Sequence, residues 1–210
     1  MLHLIYPPKC VLCAKILPRG QMDLCHDCRT NAPMFKRTKR KIPFVAHWTA
    51  LWYYKDNARN SILRFKFLRR ISYAPAYGRL IAPLLFQKDA DIISWVPVSR
   101  QRLMKRGYDQ SKLLARHAAK ELGLSATAVL KKVRHTPPQS GIQGAAQRRA
   151  NVLGAYRVRN PEKIRGKRIW LLDDVVTTGA TASECARTLL LAGAEEVYVA
   201  ALAAAEYYKK

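Results

Sequence analysis

The apolar positions of the chain fall into two patterns. DIISWVPVS (Asp91 to Ser99), KRIWLLD (Lys167 to Asp173) and EVYVAALA (Glu196 to Ala203) contain short apolar runs without polar alternation, as in strands covered on both faces. HWTALWYYK (His47 to Lys55) is rich in β-forming aromatics and reads as another strand. Between these runs the spacing turns helical. ARNSILRFKFLRR (Ala58 to Arg70) directs Ile62, Phe65 and Leu63 inward and Arg64, Lys66, Arg69 and Arg70 outward. A second helix is expected over Ala74 to Phe86 despite Pro75 and Pro83. YDQSKLLARHAAKELGL places Leu113, Leu114, His117 and Leu122 near one face, with Gly123 as its stop. TASECARTLLLAG is a helix stopped by Gly193, with Cys185 as a core residue. Strands alternating with helices predict an α/β fold, a parallel sheet flanked by helices, over residues 47–210. RHTPPQSGIQGAAQRRANV (Arg134 to Val152) has no stable period; it reads as a long loop followed by a short helix, and such loops are usually functional.

The first 32 residues follow another logic. Cys10-Val-Leu-Cys13 and Cys25-His-Asp-Cys28 are two CxxC pairs separated by eleven residues. Each pair forms a tight turn that aims two thiolates at one metal, so Cys10, Cys13, Cys25 and Cys28 are expected to hold a structural zinc ion. Four ligands leave no open position for water, and a segment of about 30 residues needs the metal's binding energy to fold. Two disulfides are the rival reading and require an oxidising compartment. His3 and His26 are spare imidazoles beside this set. Residues 33–46 form a basic connector to the main domain.

Composition changes the picture through charge. Lys and Arg number 38 against 14 Asp and Glu, a net +24 in 210 residues. Such a surplus favours polyanionic partners: nucleic acid, anionic lipid or phosphorylated small molecules. No carboxylate lies between Asp27 and Asp56 or between Glu121 and Glu162. The first gap holds Lys36, Arg37, Lys39, Arg40 and Lys41, the candidate DNA-binding residues. Trp48, Trp52, Tyr53 and Tyr54 follow, either to stack on bases or to pack in the core. MLHLIYPPK is too short in its apolar part for a signal peptide, and no run approaches the roughly 20 residues of a bilayer span. The expected location is the cytoplasm, with charge alone allowing contact with the anionic inner face of the membrane.

The chemistry concentrates in IWLLDDVVTTGATAS (Ile169 to Ser183), a strand, a turn and a helix start. The helix presents unpaired N–H groups and a positive dipole end, and Thr177, Thr178 and Thr181 add hydroxyls. Gly179 admits a close backbone approach. This half of the motif suits a phosphate. Asp173 and Asp174 would repel it, unless the ligand also carries hydroxyls or magnesium. Ribose with a 5′-phosphate satisfies both halves. Neither GxxxxGK[ST] nor GxGxxG occurs, which excludes the usual P-loop and dinucleotide fingerprints.

LLDDVVTTGATAS resembles the phosphoribosyl-diphosphate (PRPP) signature of type I phosphoribosyltransferases. RGYDQSKLLA (Arg106 to Ala115), HTPPQSG (His135 to Gly141) and QRRANVLGAY (Gln147 to Tyr156), behind the double CxxC, are similar to the ComF family. The resemblance covers nearly the whole chain. It implies magnesium-bound PRPP as ligand, held by Asp173, Asp174, Val175, Thr177, Thr178, Gly179, Ala180 and Thr181, with Asp173 and Asp174 as the catalytic pair. It places pyrophosphate at Val98, Ser99 and Arg100, with Arg102 and Arg106 to neutralise it, and a closing loop around Arg148 and Arg149. Arg159 and Lys66 are lesser candidates for the same charge. Members of the family are linked to DNA uptake in natural competence, which implies single-stranded DNA, a competence helicase or other DNA-uptake proteins as partners. Two further readings stay open: transfer of phosphoribosyl from PRPP to a nitrogenous acceptor, and a PRPP or nucleotide sensor in which the zinc module docks a partner.

The cysteine pattern carries its own prediction. Elemental analysis should find one zinc per chain, and chelation should unfold the N-terminal module; a metal-free preparation with that module folded is the contrary result.

Overall fold

The computed structural model describes residues 7–36, 39–136 and 144–206. The segments 1–6, 37–38, 137–143 and 207–210 lie outside the described residues, and with them His3, Arg37 and Pro137 to Gly141 of HTPPQSG. The elements run α1 (His26–Asn31), β1 (His47–Tyr53), α2 (Asp56–Phe67), α3 (Ala74–Leu85), β2 (Ile92–Trp95), α4 (Arg100–Arg106), α5 (Gln110–Glu121), β3 (Leu130–Lys132), α6 (Ala145–Val152), β4 (Tyr156–Val158), β5 (Arg168–Val176), α7 (Ala180–Leu191) and β6 (Glu196–Ala204).

Four strands form one parallel sheet in the order β1-β6-β5-β2. Alternate side chains of β5 leave on opposite faces. Trp170 and Leu172 join a core with α2, α3 and α5, while Ile169 and Leu171 join a second core with α7 and Tyr156 of β4. Burial on both faces explains why these strands carry no polar alternation. The parallel sheet was therefore readable from the apolar runs.

The helical faces differ from the sequence expectation in two places. In α5 the buried face is built largely of small residues: Ser111, Ala115, Ala118 and Ala119 lie inside with Gln110 and Leu114. Small side chains let α3 approach closely at Gly78. A Cβ there would sit 2.5 Å from the Cβ of His117 and 2.9 Å from the Ala118 nitrogen. In α2, Arg64 and Lys66 do not point freely outward. Both are half-buried and engaged with other segments. A periodicity argument assigns cations to water by default and misses such contacts.

Besides α1 in the cysteine segment, two elements escaped the sequence reading. Val98 to Arg106 contains the short helix α4, capped by the Ser99 hydroxyl accepting from the Arg102 N–H. The second is the antiparallel pair β3–β4, which joins Lys132 to Tyr156 across the long loop. Three-residue strands so far apart in sequence leave no local pattern.

The zinc segment is built into the main core. Val11, Leu12, Leu17 and Leu24 belong to the same buried cluster as Trp52, Phe65 and Tyr77. The Ser61 hydroxyl donates to the Val11 carbonyl, and Arg64 Nη2 to the Leu12 carbonyl at 2.6 Å. Arg79 pairs with Asp23 through two contacts, 3.0 and 2.5 Å. Trp52 is 1% exposed and packs edge-on to Tyr77, so core packing accounts for it.

Gly78→Ala should lower stability by about 1–3 kcal/mol, the cost of overpacking a helix contact that cannot part. Equilibrium denaturation measures it; an unchanged midpoint would mean that α3 and α5 separate without cost.

Candidate functional site

β5 ends between its neighbours β6 and β2, so its carboxyl end opens where ligands enter open α/β sheets. There Asp173 and Asp174 stand side by side. Asp173 Oδ1 accepts from the Ser111 hydroxyl at 3.0 Å and from the Asp174 N–H at 2.8 Å. Asp174 Oδ1 lies 2.8 Å from Lys66 Nζ of α2. Burial pushes the Asp173 carboxyl up to about 7, and the adjacent Asp174 charge adds to the rise, against Lys66 and the two hydrogen bonds.

The chain then turns through Thr177, Thr178 and Gly179 into α7. Gly179 has φ +80°, a left-handed conformation, and a Cβ on it would lie 2.9 Å from Ile42 Cγ1. Ile42 is 2% exposed and roofs the turn from behind. Beside it Arg40 Nη2 donates to the Thr177 carbonyl at 2.6 Å, its guanidinium lies 5.2 Å from the Trp48 ring centre, and Trp48 Nε1 donates to the Arg40 carbonyl at 2.7 Å. The basic connector thus braces the turn. Lys36, Lys39 and Lys41 are exposed, whereas Arg40 is half-buried in this brace.

A cavity of about 890 Å³ opens over these groups. Asp173, Asp174, Val175, Thr177, Thr178, Gly179, Ala180 and Thr181 all line it, as do Val98, Arg102 and Arg106. Ser99 and Arg100 instead border a smaller adjoining groove with Arg134 and His135. Ser99 Oγ is 2.9 Å from His135 Nδ1, and Arg102 Nη2 donates to the Thr136 carbonyl at 2.8 Å, so α4 and the segment after β3 hold one another. Arg148 and Arg149 lie on α6 and do not line the cavity; Val152 of that helix does. Arg159 donates to the Leu130 carbonyl across the hairpin.

Several lining groups were not assigned to this site from sequence. Lys105 of α4 and Lys132 of β3 add cations, and Phe67 forms a less polar wall with Tyr54 and Leu63, which the sequence marked only as a stacking or core aromatic and an inward helix position. Burial pulls Lys132 down to about 8, with the Arg102 charge acting the same way. Asp109 caps α5 and accepts from the Val98 N–H at 3.1 Å, which fixes the loop after β2. The signal for Asp109 and Ser111 was present in RGYDQSKLLA without a role attached to it. Lys132 counted only as one more cation of the acid-free segment.

The cysteine cluster is a second site. The ligand atoms of Cys10, Cys13, Cys25 and Cys28 lie within 4.8 Å of one another, and Cys13 Sγ is 3.6 Å from Cys25 Sγ. A tetrahedron with Zn–S bonds of about 2.3 Å has edges of about 3.8 Å, so the four thiols fit zinc. None of them is in a disulfide. Among the described residues no helix is long and apolar enough to cross a membrane.

Comparison with known proteins matches each part of the chain to a domain family. Residues 109–210 match the phosphoribosyl transferase domain family and residues 1–39 the double zinc ribbon domain family. The "DNA utilization protein YhgH" of Salmonella typhi is 31% identical over 202 residues, covering 90% of this chain and 87% of the relative. "Competence protein F" of Haemophilus influenzae is 28% identical over 232 residues, covering 94% and 97%. A solved structure described as the allosteric regulatory enzyme of purine biosynthesis overlays 67% of this chain at 23% identity and a TM-score of 0.46, and this chain spans 30% of that one. The fold is thus a phosphoribosyltransferase-type parallel sheet behind a zinc ribbon that holds structural zinc. The chain belongs to the ComF family.

The raised Asp173 carboxyl predicts a pH signature. Its folded pKa of about 7 lies above the ordinary 3.8, so the folded state keeps the proton longer than the unfolded state does. That group's contribution to stability is fully present below about pH 4 and is lost as pH rises to about 7. Asp173→Asn keeps an acceptor for Ser111 and the Asp174 N–H but carries no charge. Its melting temperature should gain on the parent by roughly 3 °C or more between pH 5 and pH 8, about 1 kcal/mol in a chain of this size. An equal difference at both pH values would show that Asp173 is ionised throughout.

Proposed function

We propose that this chain binds a 5-phosphoribosyl ligand, PRPP with its magnesium, and that it acts in the handling of single-stranded DNA during DNA uptake. One observation carries the first half. The acid pair and the Thr177–Thr181 turn, at the start of a 12-residue helix, face one cavity. In this reading Asp173 and Asp174 accept from the ribose hydroxyls, and the N–H groups and hydroxyls from Thr177 to Thr181 hold the 5′-phosphate. Magnesium comes with the ligand as counter-ion to its pyrophosphate.

The second half rests on the relatives called "DNA utilization protein" and "Competence protein F", and on the +24 charge. Exposed Lys36, Lys39 and Lys41 continue from the brace behind the phosphate turn, so they offer a track for a phosphate backbone beside the site. In this reading the protein works in the cytoplasm against the inner face of the membrane, with a competence helicase or other DNA-uptake proteins as partners. A second reading, transfer of phosphoribosyl to a nitrogenous acceptor, is favoured by Arg102, Lys105 and Arg106. They line the same cavity and suit a departing pyrophosphate.

Titration calorimetry of PRPP with magnesium tests the proposal, with and without a short 5′-phosphorylated single strand. Binding is expected in the parent and its loss in Asp173→Asn/Asp174→Asn; equal binding in the variant removes the ribose-site assignment. Replacing Lys36, Lys39 and Lys41 by Gln should weaken the single strand alone and reduce its salt slope by about 2, near 0.7 per lost phosphate contact. An unchanged slope removes the connector as a DNA track.

A further inference from the structure

We infer that Lys66 is a built-in counter-cation of the acid pair, which lets the site hold a 5-phosphoribosyl group without a divalent metal. The inference rests on the phosphoribosyl reading above and adds to it a residue and a ligand class: sugar phosphates that carry no pyrophosphate.

The acid pair and the turn behind it set up a charge problem. Among the described residues Asp173 and Asp174 are the two acids that line the cavity, and the anion-binding turn begins three residues beyond Asp174. A sugar phosphate brings negative charge to that turn without a metal of its own. Asp173 is already served by a hydroxyl and an N–H group. Asp174 is served by a full charge, Lys66 Nζ at 2.8 Å, with the two side chains only 17% and 13% exposed. Charge pairs out of bulk water are screened far less than surface pairs.

The position of Lys66 is held from behind, unlike that of an ordinary surface lysine, whose ion pairs contribute little. Phe65 is fully buried, and the Tyr108 hydroxyl donates to its carbonyl. Two residues before Lys66, Arg64 reaches the opposite way to the Leu12 carbonyl, between Cys10 and Cys13 of the zinc site. Ser61 donates to the carbonyl of Val11 in the same turn. The helix end that presents Lys66 is therefore clamped between the zinc ribbon and the acid pair.

The ion pair need not break when a ligand arrives. A carboxylate offers two oxygens with about four acceptor positions. Lys66 pairs with Oδ1 of Asp174; in this scheme the second oxygen accepts from a ribose hydroxyl. Lys66 then remains as the cation that offsets the approaching phosphate. It acts through Asp174 and is a positioning residue in this scheme.

Ribose 5-phosphate is the probe, titrated into the zinc-loaded protein in buffers with and without magnesium. No chelator is used, so the cysteine cluster keeps its metal. The parent should bind it in both buffers with Kd values within about threefold. Lys66→Met should bind about tenfold or more weakly without magnesium, the size of one charge-assisted contact, and recover when magnesium is added. Lys66→Arg should restore metal-free binding. Rescue by magnesium separates a charge role from simple misfolding, which a soluble cation would not repair. The inference is overturned if the parent needs magnesium to bind ribose 5-phosphate. It is also overturned if Lys66→Met binds as tightly as the parent or more tightly without metal, since Lys66 would then be a bystander or a latch that blocks Asp174. PRPP with magnesium is titrated in parallel. If PRPP binds and metal-free ribose 5-phosphate does not, this inference alone falls; if neither binds under any condition, the phosphoribosyl reading falls with it.

Discussion

Two carboxylates side by side at the end of a buried strand repel each other, and they also repel any anion drawn to the helix start behind them. In water the cost is small. Where burial removes solvent it grows, and it must be met by hydrogen bonds, by a cation or by a retained proton. All three devices occur here. Asp173 takes a hydroxyl from α5 and a backbone N–H, and its carboxyl titrates late. Asp174 takes an ammonium from α2. α2 and α5, which pack on this face of the sheet through their apolar residues, also supply these two partners.

The zinc ribbon gains a structural meaning from the same arrangement. Its apolar residues complete the core on one face of the sheet, and its knuckle carbonyls receive Ser61 and Arg64 of α2. A metal that orders this knuckle also orders the back of the helix that carries Lys66. The ribbon is therefore part of the scaffold of the site. The connector plays the corresponding part from the other side, where Arg40 and Ile42 set the turn before α7. Gly179 is required there twice over, for its left-handed backbone and for the space that Ile42 fills.

The basic charge is likewise distributed with purpose around the cavity. Cations from α2, α4 and β3 converge on one opening, although the sequence places them in separate stretches. Convergence of this kind raises the local potential for anions well above that of a scattered surface. Burial pulls Lys132 below its ordinary range, and the Arg102 charge beside it adds to the shift.

Much of this protein is legible in its sequence alone. Apolar runs broken by helical periods identify buried parallel strands, because covering both faces removes polar alternation. Two CxxC pairs identify a metal site, because thiolate spacing within a turn is a local property. DDVVTTGATAS identifies its own strand, turn and helix start, and brings its acids and hydroxyls together, because all of its groups lie within one stretch of chain. The rest depends on long-range contact. Lys66 reads as an outward helix cation and a lesser candidate for the pyrophosphate charge until the fold brings it to Asp174, 108 positions away. Arg40 reads as one more charge in a basic connector until it is found bracing Thr177. The β3–β4 hairpin and the alanine face of α5 leave no periodic trace, since three-residue strands and small side chains carry little hydrophobic signal. Local sequence determines which groups are chemically able to act; only tertiary packing decides which distant charge stands next to them, because that depends on how helices of different origin close around one strand end.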